Sequence, residues 1–253
     1  MFDGKRVSVV LTSYREKDSI RAAIEEFFAT GLVDEIVVVD NNAEPGSAEE
    51  VRKTRARLVF EKRQGHGWAL QRGLKEAMGE YVIISEADGT FQGRDAEKFL
   101  AYARHFPVVL GTRTNAGFIE PGSAMFFLRR VADILEGKLI QFLFASPTVS
   151  DVGCTYKLLR RDAIRFLENE WVTNDSHFVT EITLQAAARR IPFIEIPVAF
   201  KKRVGESAMT GTFFDIAKWG IKLFIFIWWF WLRWLFLKQP PRFAPFAAGR
   251  QRP

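Results

Sequence analysis

EYVIISEADGTF, residues 80–91, is the stretch on which the fold turns. Tyr81-Val82-Ile83-Ile84-Ser85 reads as a short strand buried on both faces, and it stops abruptly in Glu86-Ala87-Asp88-Gly89. Two carboxylates one residue apart therefore sit at a strand's carboxyl end, where open α/β sheets hold their ligands. Residues i and i+2 of an extended strand point the same way. Glu86 and Asp88 can thus converge on one hard divalent cation, which prefers carboxylate oxygens, and that cation could hold phosphate oxygens in turn. Taken alone, the triplet is better read as an acidic turn, since Asp88-Gly89 is ordinary turn chemistry. The surrounding chain decides between the two.

Working outward, strands alternate with helical patterns through the first half, the signature of a mostly parallel sheet with crossover helices. Arg6 to Thr12 reads as a strand, Ser19 to Ala29 as a helix with Ile20, Ala23, Ile24, Phe27 and Phe28 on its apolar positions, and Glu35 to Asp40 as a second buried strand. A turn from Asn41 to Ser47, a short helix and a third strand at Arg57 to Phe60 follow. Gly65-His66-Gly67 then opens a helix running to Met78. Backbone N–H groups around Gly67 could meet a phosphate there, and tight backbone packing is the equal alternative. Beyond the acidic triplet come a helix, Asp95 to Phe106, and a strand, Val108 to Leu110, ending in Gly111-Thr112-Arg113. Arg113 is placed to pair with a phosphate or to sit as a solvated loop charge. Ala124 to Ala145 is an amphipathic helix of large apolar residues with Arg129, Arg130 and Lys138, suited to a bilayer surface or to a core with a basic outer face. A loop and strand, Asp151 to Leu159, two helices from Asp162 and Thr180, and a proline-interrupted edge strand, Ile191 to Phe200, complete the sheet pattern. Lys201-Lys202-Arg203 ahead of a Gly-containing turn suits a phosphate clamp or a solvated loop.

Composition narrows the class. A chain of 253 residues, 48% hydrophobic and 26% charged, is globular. Its one cysteine, Cys154, reads as a small buried hydrophobe. The start MFDGKRVSVVLTSY lacks the order of a signal peptide, so the catalytic part is expected on the cytoplasmic side. A net charge of +6 points to nucleic acid or to anionic headgroups. Five of the seven tryptophans, Trp219, Trp228, Trp229, Trp231 and Trp234, fall in one late segment rich in Phe and Ile. That is a membrane composition, and no basic-aromatic ribbon for stacking bases exists elsewhere, so no nucleic acid is expected.

In that segment, Phe213 to Leu237, Asp215, Lys218, Lys222 and Arg233 fall within roughly 60° of a helical wheel, leaving every other side apolar. About 25 helical residues could span a bilayer. No apolar run reaches about 18, and Arg242, Arg250 and Arg252 would follow it outside, against the usual inside bias. A spanning helix, an interfacial or re-entrant one, and one packed against a partner subunit through its polar stripe all remain. The balance leans towards membrane-embedded, with QPPRFAPFAAGRQRP as an irregular tail.

The ordered set SVVLTSYRE, EIVVVDNN, GHGWALQRGLKEAMGEYVIISEADGT, GTR, SDVGCTYKLLRRDA and IPVAFKKRVGES covers most of residues 5–207. It resembles family 2 glycosyltransferases with a GT-A fold, and among them the dolichol-phosphate or polyprenyl-phosphate sugar transferases. The resemblance implies a GT-A domain over residues 1–207 and a membrane-associated helix and basic tail over 208–253. It implies a nucleotide-sugar pocket lined by Thr12, Tyr14 and Glu16, with Asp40 at the base or ribose, Gly67 nearby and Ser207 closing a clamp over the donor. Asp88, with Glu86 beside it, would hold Mg²⁺ or Mn²⁺. Arg113, Arg130 and Arg203 match phosphate-binding positions, Arg113 and Arg130 for the acceptor. Three positions depart from the pattern: Glu86 where Asp is usual, Thr90 where the lipid-phosphate branch carries Gln, and Asn41 in place of a second Asp.

The expected reaction is transfer of a sugar from a UDP or GDP donor to polyprenyl phosphate, inverting at the anomeric carbon. A lipid phosphate is already ionised, so no general base is required. A hydroxyl acceptor would need one, with Asp151, Asp175, His177 and Glu181 available. A membrane scaffold of the same fold with weakened metal binding is the third reading, and association of copies through the aromatic helix is compatible with all three.

Overall fold

The computed structural model describes residues 1–205 and 213–236, apart from the side chains of residues 213–217. Ser207 and the 239–253 tail lie outside the described residues. In chain order the elements are β1 (Val7–Ser13), α1 (Lys17–Ala29), β2 (Glu35–Asp40), α2 (Ser47–Arg52), β3 (Arg57–Phe60), α3 (His66–Glu76), β4 (Tyr81–Glu86), α4 (Ala96–Ala103) and β5 (Val108–Thr112). They continue with α5 (Phe127–Phe144), β6 (Lys157–Arg160), α6 (Arg161–Leu167), α7 (Phe178–Ala188), β7 (Phe193–Pro197) and α8 (Phe213–Phe236).

The strands make one seven-stranded sheet in the order β3-β2-β1-β4-β6-β5-β7. All pairings are parallel except those of β6, which runs against both β4 and β5. The edge position expected for the proline-bearing strand is where β7 lies. Because β1, β2, β4 and β5 run the same way, their carboxyl ends share one rim of the sheet. The reversed β6 brings its entry, Cys154 to Tyr156, to the same rim.

Alternation along the central strands sorts their side chains onto two faces. Val9, Leu11, Ile36, Val38 and Ile83 pack beneath Ile20, Ile24 and Phe27 of α1. Val10, Val37, Val39, Val82 and Ile84 pack against Ala69, Leu70 and Leu74 of α3. Both faces are therefore covered, which is why these strands read as continuous Val/Ile runs rather than alternating ones. Removing one such side chain, as in Phe27→Ala, costs about 3–5 kcal/mol.

A third cluster joins α5, α7 and α8. Ile227 and Phe230 of α8 are buried against Ile140 and Phe144 of α5, and the Trp231 indole donates to the Leu143 carbonyl at 3.0 Å. Only this inner stripe is covered. Ile221, Phe224, Ile225, Trp229 and Leu232 on α8 are exposed, as are Phe127, Leu128, Leu135 and Phe142 on α5. The part of α8 from Lys218 to Phe236 is, among the described residues, the one helical segment long and apolar enough to cross a bilayer.

Candidate active site

The carboxyl rim holds a cavity of about 180 Å³ lined by Thr12, Ser13, Tyr14, Glu16, Asn41, Gln64, His66, Glu86, Ala87, Asp88 and Arg203. Thr12 and Ser13 end β1, and Glu86 ends β4, its parallel neighbour in the sheet. Gly89, at φ +78°, turns the chain immediately after Asp88, a left-handed conformation that costs glycine little.

Asp88 is the buried centre, 1% exposed. Its Oδ1 accepts the Thr90 hydroxyl at 2.6 Å and the Thr90 N–H at 3.0 Å. Its Oδ2 accepts from Arg203 at 2.8 Å. The other arm of Arg203 reaches Glu16 at 2.7 Å, so one guanidinium bridges the mouth of the cavity. Glu16 is itself fixed, its second oxygen accepting the N–H groups of Tyr14 and Arg15 at 2.6 and 2.8 Å. Burial, and then the Glu86 carboxylate, push Asp88 up to about 7, against the pull of Thr90 and Arg203. His66, half-buried at the start of α3, is driven down to about 4 by desolvation and is neutral at pH 7.

At the end of β2, Asp40 is turned back on its own chain and accepts the Ala43 N–H at 2.8 Å. Asn41, where a second acid was the expected pattern, ties the strand to the following turn. Its amide donates to the carbonyls of Glu61 and Arg63 at 2.9 and 2.8 Å, and its oxygen accepts the Gly65 N–H at 3.0 Å.

Three expectations need correcting. Gly67 lies against the backbone before α7, where an added Cβ would come within 2.5 Å of the Asn174 carbonyl carbon. It is a packing glycine, and His66 is the residue of that turn that lines the cavity. Arg113 is not a solvated charge but a buried one, 4% exposed, held by Asp151 through two guanidinium bonds of 2.8 Å. Arg130 lays its guanidinium over the Phe127 ring, 5.7 Å from the centroid. The α5 arginine turned inward is its neighbour Arg129, which lines a second cavity of about 140 Å³ with Asp133, Glu136, Gly153, His177, Thr180 and Trp219. A one-residue step around a helix is about 100°, and the even mixture of apolar and basic residues in 124–145 gave no phase for it. In that cavity burial raises Asp133 to about 7 and Glu136 to about 8.

The four acids and bases considered for a hydroxyl acceptor also separate. Asp151 is committed to Arg113, and Glu181 is buried, accepting from the N–H groups of Val172 and Thr173 and the hydroxyl of Thr173. Asp175 and His177 face each other at 2.8 Å ahead of α7, with His177 on the second cavity. Cys154 is fully buried, its thiol pushed up to about 12 by desolvation, and is therefore chemically inert.

The model of glycosyl transferase family 2 matches residues 8–167. The chain is 26% identical over 205 residues to a dolichyl-phosphate hexose transferase of Haloferax volcanii, covering 80% of this chain and 86% of that one. It is 24% identical over 199 residues to glycosyltransferase AglJ of the same organism, 78% of this chain and 63% of the relative. A third Haloferax protein, low-salt glycan biosynthesis hexosyltransferase Agl6, is 26% identical over 213 residues, 79% of this chain and 49% of its own length. In fold, the chain is similar to glucosyl-3-phosphoglycerate synthase from Mycobacterium tuberculosis, crystallised with Mn²⁺, UDP and phosphoglyceric acid. The TM-score is 0.70 at 16% identity, over 90% of this chain and 79% of that one. The protein belongs to glycosyl transferase family 2, is a glycosyltransferase, and has a GT-A-like architecture.

Proposed function

We propose that this family 2 glycosyltransferase moves a hexose from a UDP or GDP sugar to a polyprenyl phosphate at the cytoplasmic face of a membrane. The observation that carries this reading is the Glu86–Asp88 pair at the carboxyl end of β4, bridged by Arg203 to Glu16 across a cavity. The name of the Haloferax dolichyl-phosphate hexose transferase supports the acceptor class, and the UDP and Mn²⁺ of the similarly folded synthase support the donor and metal classes.

The residues suit a hard divalent ion. Two carboxylates share one pocket, and the burial of Asp88 disfavours its charged form until a cation joins the pair. Among the described residues no group of three or more His, Cys, Asp or Glu could hold a metal. Glu86 and Asp88 are the residues that would hold such an ion. Such an ion, when bound, neutralises the pyrophosphate that leaves with the nucleotide. Thr12, Tyr14 and Glu16, which line the cavity, would form the wall for the nucleoside, and Asp40 would meet its base or ribose. Arg203 is already a cation at the centre, and shifting from Asp88 to a donor phosphate would keep it paired while it stabilises the departing charge.

On the acceptor side, Arg129, which faces the second cavity, would supply the positive charge for a phosphate, with the Arg113–Asp151 pair packed behind it. That phosphate attacks without a general base, displacing the nucleotide from the opposite face. Residues 1–207 carry this chemistry and 208–253 hold it at the bilayer. A hydroxyl acceptor is the second reading. It is favoured by the Asp175–His177 contact, in which the carboxylate orients an imidazole able to take a proton.

The test is donor turnover by purified full-length protein with Mn²⁺ or Mg²⁺, UDP- and GDP-hexoses and polyprenyl phosphate. Label should move into the organic phase with one nucleotide, and Asp88→Ala should abolish it. If neither donor binds in a metal-dependent manner, the reading fails.

A further inference from the structure

Glu86 stands where the family pattern has the shorter Asp, and the structure gives that extra methylene a partner. The antiparallel register of β4 and β6 pairs Tyr81 with Arg160 and Ile84 with Lys157. Continued two residues towards the rim, it sets Glu86 opposite Thr155. The Thr155 hydroxyl donates to Glu86 Oε1 at 2.6 Å, and Thr155 is 2% exposed. Packing does not explain the residue type: valine has the same shape, and a buried hydroxyl costs free energy unless it is bonded. The bond that satisfies this hydroxyl is the one to Glu86. On the other carboxylate, Thr90 holds Asp88 Oδ1 in the same way at 2.6 Å. Each acid of the pair thus has one oxygen fixed by a threonine, and both line the same cavity.

We infer that Thr155 is a positioning residue for the metal-binding pair, and that Glu86 and Thr155 work as a unit in place of the shorter aspartate. This rests on the metal role proposed for Glu86 and Asp88. Left untied, a glutamate has one more rotatable bond than an aspartate, and the hydroxyl removes that freedom. An aspartate at 86 would end about 1.5 Å short of the hydroxyl, so the two positions should fail together.

The experiment is a Mn²⁺ titration of the full-length protein, read by loss of the free-ion electron paramagnetic resonance signal. UDP and GDP are supplied, and no sugar donor is present, so nothing turns over. Thr155→Val should weaken Mn²⁺ binding about ten-fold, as loss of an outer-shell partner does. Thr155→Ser should stay within about three-fold of wild type. Glu86→Asp should also weaken binding, and adding Thr155→Val to it should cost nothing more, because the bond is already gone. Thermal unfolding of each variant separates loss of the site from loss of the fold. Thr155→Val binding like wild type, or losses that multiply in the double variant, would overturn the inference. Asp88→Ala divides the two levels: if it abolishes binding while Thr155→Val does nothing, only the Thr155 role falls. If Asp88→Ala binds Mn²⁺ as wild type does, the metal assignment falls with it.

Discussion

Arg203 is the residue that links donor side and metal side, because its two arms hold Glu16 and Asp88 at 2.7 and 2.8 Å. Removing it frees Asp88 of a competitor while taking away a cation from the leaving pyrophosphate. Arg203→Ala should therefore lower kcat/KM by a factor of about 100 or more, the scale of one lost charge-stabilising donor. Steady-state kinetics check the loss, and a KM change with kcat untouched would instead mark Arg203 as a simple binding group. At this scale the sequence was legible where the chemistry follows from strand position. Glu86 and Asp88 could be placed by period and by the end of an apolar run. The residues that escaped are those whose role depends on a partner distant in sequence. Arg113 needed Asp151, Asn41 needed the 61–65 turn, and Thr155 needed the register of a reversed strand. Nothing local to Arg129 or Arg130 fixed which of the two faces inward.

Among the elements, α8 has two chemically different faces, and substitutions on them should do different things. Ile227 is fully buried against α5 and α7, so Ile227→Ala should destabilise the fold by about 2–4 kcal/mol, seen as a lower midpoint in chemical denaturation. Ile225 and Leu232 are exposed. A double Ile225→Asp, Leu232→Asp variant should leave that midpoint unchanged and move the protein from the membrane pellet to the supernatant on fractionation. Retention in the pellet would argue against a bilayer on this face. The strands and helices were readable because each is bounded by its own signals. The antiparallel sense of β6 was not, since a four-residue strand carries no mark of its direction.

For the whole molecule, the buried acids set a pH dependence that opposes the usual acid denaturation. In the folded protein Asp133 is raised to about 7 and Glu136 to about 8, whereas unfolded carboxyls titrate at about 4. An acid with a raised folded value keeps its proton longer when folded, so stability is lost as pH climbs towards that value. Every tenfold gain in proton affinity on folding is worth about 1.4 kcal/mol. Glu61, held at about 2 by Arg63, changes only below the ordinary carboxylate range, and His66, lowered to about 4, contributes nothing further above about 6.5. Between about pH 6.5 and 8 the metal-free protein should therefore lose thermal stability, with Asp88, also raised to about 7, contributing, and Asp133→Asn with Glu136→Gln should make the slope shallower. A midpoint that rises over that interval would contradict these environments. At the same scale lies the central claim, that the acceptor is a phosphate on a membrane lipid. The measurement that tests it is transfer of labelled hexose to polyprenyl phosphate against the matching polyprenol, with all else equal. Product from the phosphate alone, released by mild acid as a sugar phosphodiester is, is the predicted result. Product from the polyprenol at a comparable rate, lost when His177 is replaced, would contradict it and make the protein a hydroxyl-directed transferase.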